Sequence, residues 1–174
     1  MCPWALGVAT KEKLHLVVNE SPYSVDKPSS LLSIQRRKKL ISAIVDEAQS
    51  LTNATTTFET ALIVLPSLTD FMVFLRLTED VEKALKRNGL AADIQIATFH
   101  PNYIFEGTDG TDVENYTNRS PYPIIHLLRV DQVQRAIDAV NGDTDFVWKN
   151  NIQRLKEKGL ARVIFEYEQL FRKK

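Results

Sequence analysis

The run Ala61-Leu62-Ile63-Val64-Leu65 is unbroken by any polar residue and is closed by Pro66, and it constrains the fold more than any other stretch of the chain. A strand exposed on one face alternates apolar with polar residues, whereas an unbroken apolar run suits a strand covered on both faces. Proline ends such a strand because it has no N–H to give to the ladder. The run is therefore expected near the centre of a sheet. A second apolar strand is expected over Ile124 to Leu128, interrupted only by His126.

Around these two strands the apolar spacing changes period. Leu14 to Val18 reads as a strand closed by Asn19-Glu20-Ser21-Pro22. Ile34, Ile41, Ile44, Val45 and Ala48 recur at helical spacing, with Arg36, Arg37, Lys38 and Lys39 mainly on the other side, so a helix with a solvated basic face is expected. A second helix is predicted to start at Thr69-Asp70 and stop at Asn88-Gly89, burying Phe71, Phe74, Leu75, Val81 and Leu85. Ile94, Ile96, Thr98 and His100 then alternate with Asp93, Gln95, Ala97 and Phe99, as a strand requires. Val130, Val133, Ile137 and Val140 form a helical stripe ending at Asn141-Gly142. Two more helical patterns follow, one around Trp148, Ile152 and Leu155, the other through Leu160, Val163, Ile164, Tyr167 and Phe171, and His15, in its strand of apolar residues, is expected to pack or hydrogen-bond there. Gly159 separates them.

Strands alternating with helices define an α/β class, and the whole of residues 1–174 is expected to form a single layered domain. About four strands should build a mostly mixed sheet covered by helices, because strand-helix-strand units favour parallel neighbours through right-handed crossovers. The strands on either side of the long ordered loop between the third and fourth could pair in either sense. A domain of this size buries roughly 70% of the surface that its unfolded chain exposes.

Charge excludes some partners. The 22 basic and 22 acidic residues cancel, so no global field collects nucleic acid or an anionic membrane, and any anion site must be local. The single Cys2 cannot form an internal disulfide, and no apolar run approaches the ~20 residues that cross a bilayer. Met1-Cys2-Pro3-Trp4 does not read as a signal sequence, so a soluble, reducing, cytoplasmic setting is expected.

Chemistry concentrates between Phe99 and His126. A connection of that length without periodicity is uncommon in a compact domain unless it is functional or disordered, and its aromatic and proline content argues for order. His100 and His126 frame it and are the candidate acid/base groups, since imidazole titrates near neutral pH. Arg119 carries a planar donor fork suited to carboxylate or phosphate, and Tyr103, Asn115, Tyr116, Asn118, Ser120 and Tyr122 could complete a pocket for a small anionic ligand. The same residues would equally hold an irregular loop to its own backbone, with Asp109, Asp112 or Glu114 as partners for Arg119. On that reading the chain is a noncatalytic interaction module, with a homo-oligomer as one form, in which the basic and C-terminal helices meet the partner.

A metal centre built from Cys2, His100 and His126 is the third choice. Neither CxxC nor HExxH spacing supports it, and three ligands leave a structural zinc site one short. No cofactor is otherwise indicated: the six glycines make neither GxGxxG nor GxxxxGK, and no GxSxG elbow is present.

The strings Cys2-Pro3-Trp4-Ala5, Phe99-His100-Pro101, Asn115-Tyr116-Thr117-Asn118-Arg119-Ser120-Pro121-Tyr122-Pro123 and His126-Leu127-Leu128-Arg129 together make the chain resemble an uncharacterised family, catalogued as domain of unknown function fourteen-fifteen. The resemblance runs from Cys2 through the helix around Ile152. It implies a shared fold and a site at these motifs, and it supplies no reaction. Members of that family carry a helix before the Cys-Pro segment, so the resemblance also implies an incomplete start where Met1 abuts Cys2.

Overall fold

The structure, a computed structural model, describes residues 13–19, 31–138 and 144–172. Strand β1 is Leu14–Val18, helix α1 Leu31–Thr52, β2 Thr60–Val64, α2 Phe71–Arg87, β3 Ile94–Phe99 and β4 Ile124–Arg129. Helices α3 (Val130–Asp138), α4 (Thr144–Lys158) and α5 (Leu160–Arg172) follow. A short 3-10 turn, Val113–Thr117, lies inside the long connection between β3 and β4. The expected α/β class and four-stranded mixed sheet are what the chain forms.

The strands lie in the order β1-β2-β4-β3. β1 pairs with β2 in parallel, and β4 pairs antiparallel with both β2 and β3. The apolar runs of β2 and β4 thus occupy the two central positions, as their patterns require. Both helical crossovers step across the sheet in the same direction, and right-handed connections then place both helices on one face. Val17, Ala61, Ile63, Ile94, Ile96, Ile125 and Leu127 point to that face, where they meet Ile44, Val45, Ala48 and Leu51 of α1 and Phe74, Leu77, Val81 and Leu85 of α2 in one core.

The other face differs. Leu62, Val64, Ile124, Leu128 and Phe99 are only partly buried there, and Leu16 and Val18 of the edge strand are more than half exposed. An unbroken apolar strand therefore does not mean two equally dry faces. Two residues of this side are buried and polar, Thr60 and His126.

Local chemistry sets the element ends. The Asp70 carboxylate accepts from the Val73 N–H at 2.9 Å and caps α2, and Asn88 closes the helix with Gly89 at φ 74°, a conformation that glycine reaches without a Cβ penalty. Gly159, at φ 80°, makes the break between α4 and α5. The end of the α3 stripe at Val140-Asn141-Gly142 lies outside the described residues. The basic run of α1 is less solvated than its pattern suggests: Arg37 reaches α2, pairing with Asp80 at 2.8 Å and donating to the Arg76 carbonyl at 2.8 Å. His15 packs as expected, stacked on Phe58 with ring centroids 4.9 Å apart and bonded through Nδ1 to Glu47 of α1. No helix among the described residues is long and apolar enough to cross a membrane.

Candidate functional site

The connection from β3 to β4 folds back on itself by spending its polar side chains on its own backbone. Asn118 does this at the base: its Nδ2 donates to the Thr98 carbonyl at 2.9 Å, while its own carbonyl accepts from the His100 N–H at 3.1 Å. Asn115 is fully buried and does it at the centre. Its Oδ1 accepts from the Phe105 N–H and the Thr108 hydroxyl, both at 2.9 Å, and its Nδ2 donates to the Asp109 carbonyl at 2.6 Å. A buried amide costs free energy unless it is hydrogen-bonded, and here three of its four positions have partners. Ser120 donates its hydroxyl to the Tyr122 carbonyl.

Arg119 is tied into the same network. Its Nε donates to the Tyr103 carbonyl at 3.2 Å and its Nη2 to the Gly110 carbonyl at 2.8 Å, and the guanidinium carbon lies 4.3 Å from the centroid of the Tyr116 ring. The partners of the fork are therefore backbone carbonyls, not the carboxylates of Asp109, Asp112 or Glu114 named from sequence proximity. Asp109 instead accepts from the N–H and hydroxyl of Thr111, which hold its carboxyl below the usual range. Tyr116 meets Tyr167 of α5 edge to face at 5.6 Å, and the Tyr167 hydroxyl donates to the Ser120 carbonyl at 3.0 Å. Burial raises the Tyr167 hydroxyl above its ordinary pKa, with the Arg119 charge opposing the shift. Tyr103 lies between Phe71 and Phe105, tilted against the first at 5.4 Å and edge to face with the second at 4.9 Å, whereas Tyr122 is about half exposed.

The two framing histidines part company. His100 continues the β3 alternation onto the side of α1 and α2, where it is fully buried against the rings of Phe71 and Phe74, at 5.1 and 5.2 Å. Its Nδ1 accepts from the Asn102 N–H at 3.0 Å, which makes Nε2 the protonated nitrogen, 3.3 Å from the Leu68 carbonyl. Burial lowers its pKa, opposed by the Leu68 carbonyl and the Asp70 charge.

His126 lies on the opposite face, paired across the sheet with Leu62 and Ala97. It is 2% exposed, 6.3 Å from the Phe99 ring, and its Nε2 is 2.6 Å from the Thr60 hydroxyl. Burial pushes its pKa down to about 4, so the ring is neutral at physiological pH. The sheet stands between the two imidazoles, and they do not share a site. Cys2 lies outside the described residues, and no group of three or more metal-ligating side chains forms among the described residues.

Depressions of about 410 and 640 Å³ open at the far end of the sheet, one lined by Glu82, Leu85, Gln95 and Ile96, the other by Thr52, Asp93, Arg129, Asp131 and Gln134. Neither contains a residue of the loop. Arg129 in the second is bonded to Asp131 through Nε and Nη2, both at 3.0 Å.

Two residues with central roles are absent from the sequence-derived set. Thr60 heads the apolar strand β2, and a hydroxyl there is the signal that a polar partner lies across the sheet. Tyr167 belongs to an apolar stripe, and a buried tyrosine requires a partner for its hydroxyl.

The described residues form an α/β fold on a four-stranded mixed sheet, with a long, internally bonded connection between β3 and β4. The chain belongs to the family described as Protein of unknown function (DUF1415), whose family model matches residues 1–164. No curated protein and no solved structure matches it.

Proposed function

We propose that this protein is a noncatalytic interaction module in which the Phe99–His126 region is scaffold, holding the C-terminal helices in place for a protein partner. The observation that carries this reading is the state of Arg119: two donors of its fork are given to carbonyls of its own loop and its face is given to Tyr116. A ligand carboxylate or phosphate would have to displace both bonds before it could use the Nε/Nη2 edge of the fork. Asn115, Asn118 and Ser120 are committed in the same way. The scaffold reaches α5 through Tyr167, and α5 presents Phe165, Leu170 and Phe171 to solvent. Large apolar side chains of this kind are what a partner covers.

A thermal-shift series with inorganic phosphate, citrate, Mg²⁺ and Zn²⁺ tests the reading, because a ligand that binds only the folded form raises its melting temperature. The expected result is no rise with any of them. A rise with phosphate or citrate that Arg119→Lys abolishes would replace this reading with an anion site at Arg119.

A further inference from the structure

Strand β3 lies at the edge of the described sheet, and its outward backbone is only partly satisfied. The Val130 N–H donates to the Asp93 carbonyl at 2.9 Å on the β4 side, so the odd-numbered residues of β3 bond to β4, while Ile94, Ile96 and Thr98 turn their N–H and C=O groups to the open edge. The Ile94 N–H is taken by the Leu90 carbonyl and the Thr98 carbonyl by Asn118 Nδ2, both at 2.9 Å. Between these caps lie the Ile94 carbonyl, the N–H and C=O of Ile96 and the Thr98 N–H, and none of the four has a partner among the described residues. Unpaired edge groups of this kind are a template for another strand.

The caps give that template a direction. In a parallel neighbour, the residue before the position opposite Ile96 gives its N–H to the Ile94 carbonyl and accepts from the Ile96 N–H, and the residue after it gives its N–H to the Ile96 carbonyl and accepts from the Thr98 N–H. Three parallel residues therefore match the open groups one for one. An antiparallel neighbour brings a carbonyl opposite the Ile94 N–H, where it meets the Leu90 carbonyl, and β3 of a second copy paired in that sense meets the same mismatch. Beside the edge lies the smaller depression, lined by Leu85, Ile94, Ile96 and the exposed Glu82. The central residue of an added strand shares the face of Ile96 and enters this depression. Leu85 and Ile96 suit an apolar stem, and Glu82, which has no ion pair among the described residues, suits a cationic head. We propose that the β3 edge is a docking site for an extended segment of a partner protein, added parallel to β3 with a lysine or arginine opposite Ile96. None of its residues belongs to α5, so the site stands apart from the reading of the C-terminal helices.

The probe is the peptide acetyl-Thr-Val-Lys-Val-Thr-amide, titrated into the full chain labelled with ¹⁵N and followed by its amide signals. The expected result is a saturable shift of the Ile96 and Thr98 signals. N-methylation of the second valine removes the donor to the Ile96 carbonyl and should abolish that shift, whereas N-methylation of the lysine, whose N–H points away from β3, should leave it. Glu82→Lys, at an exposed helical position, should weaken binding about fivefold. Silence of both amides up to millimolar peptide overturns the site. Loss of the shift with the lysine methyl, or its survival with the valine methyl, overturns the parallel sense, and undiminished affinity in Glu82→Lys overturns the basic partner.

Discussion

His100 and His126 sit on opposite faces of one sheet, both buried and both neutral, yet the bonds that hold them span very different lengths of chain. The nearest polar partner of His100 is the Asn102 N–H, two residues away, and its ring packs on Phe71 and Phe74 of α2. His126 bonds to Thr60, sixty-six residues earlier. The first is part of a turn that pins the start of the long connection onto the core, and the second is a cross-link between the two central strands. Through Nε2 and the Leu68 carbonyl, thirty-two residues earlier, His100 also ties that turn to the β2–α2 connection. A histidine satisfied across the sheet reports on the register of the whole sheet, because a one-residue slip of β4 would turn it to the other face.

The largest expected contrast lies in the rings beside each histidine. Phe74 is fully buried under His100, so Phe74→Ala should cost about 4 kcal/mol in urea unfolding. Phe99, partly buried beside His126, should cost about half as much when replaced by alanine. Equal losses would mean that the two faces are packed alike.

Acid should act next. The folded state holds His126 neutral down to about pH 4, whereas an unfolded chain takes up the same proton near pH 6.5. The unfolded state then binds more protons between those values, so the stability from keeping His126 neutral is complete above about pH 6.5 and falls as pH drops, by about 3 kcal/mol at pH 4. His100, also lowered by burial, adds to the loss in the same direction. Melting temperatures measured from neutral pH downward check this, and a flat profile through that window would contradict it.

The smallest effect is expected in the loop. Arg119→Lys keeps the charge and loses the two-carbonyl fork, for about 1 kcal/mol of stability in the same urea experiment. A much larger loss would place the loop on the same footing as the core.

Much of this fold can be read from residue order alone, and what escapes has a common cause. The ends of α2 were visible because Asp70 and Asn88-Gly89 act on backbone within four residues of themselves. The strand at Leu14–Val18 and the break at Gly159 were visible for similarly local reasons. The 3-10 turn at Val113–Thr117 was not, since five residues carry too little periodicity. Nor was the sense of pairing around the long connection, because its length permits either. The residues of the candidate site read from the sequence as a polar string, but a list of donors does not say where the acceptors are. Arg119 reaches carbonyls nine and sixteen residues back, and carboxylates closer in sequence are passed over. The pairing of His100 with His126 failed on geometry: the alternation that sets His100 on the isoleucine side of β3 was read correctly, while the face of His126 follows only from its register with β2 and β3.

The position of β4 has a consequence for the order in which the sheet can be made. It is the last of the four described strands to leave the ribosome, and it lies between two that are finished earlier. Until Ile124–Arg129 has been synthesised, β2 presents an open edge and β3 has no described strand to pair with. Such edges invite pairing between chains. Two-thirds of the described molecule must therefore wait, in a nascent and adhesive condition, for six residues that arrive late and close the gap from within.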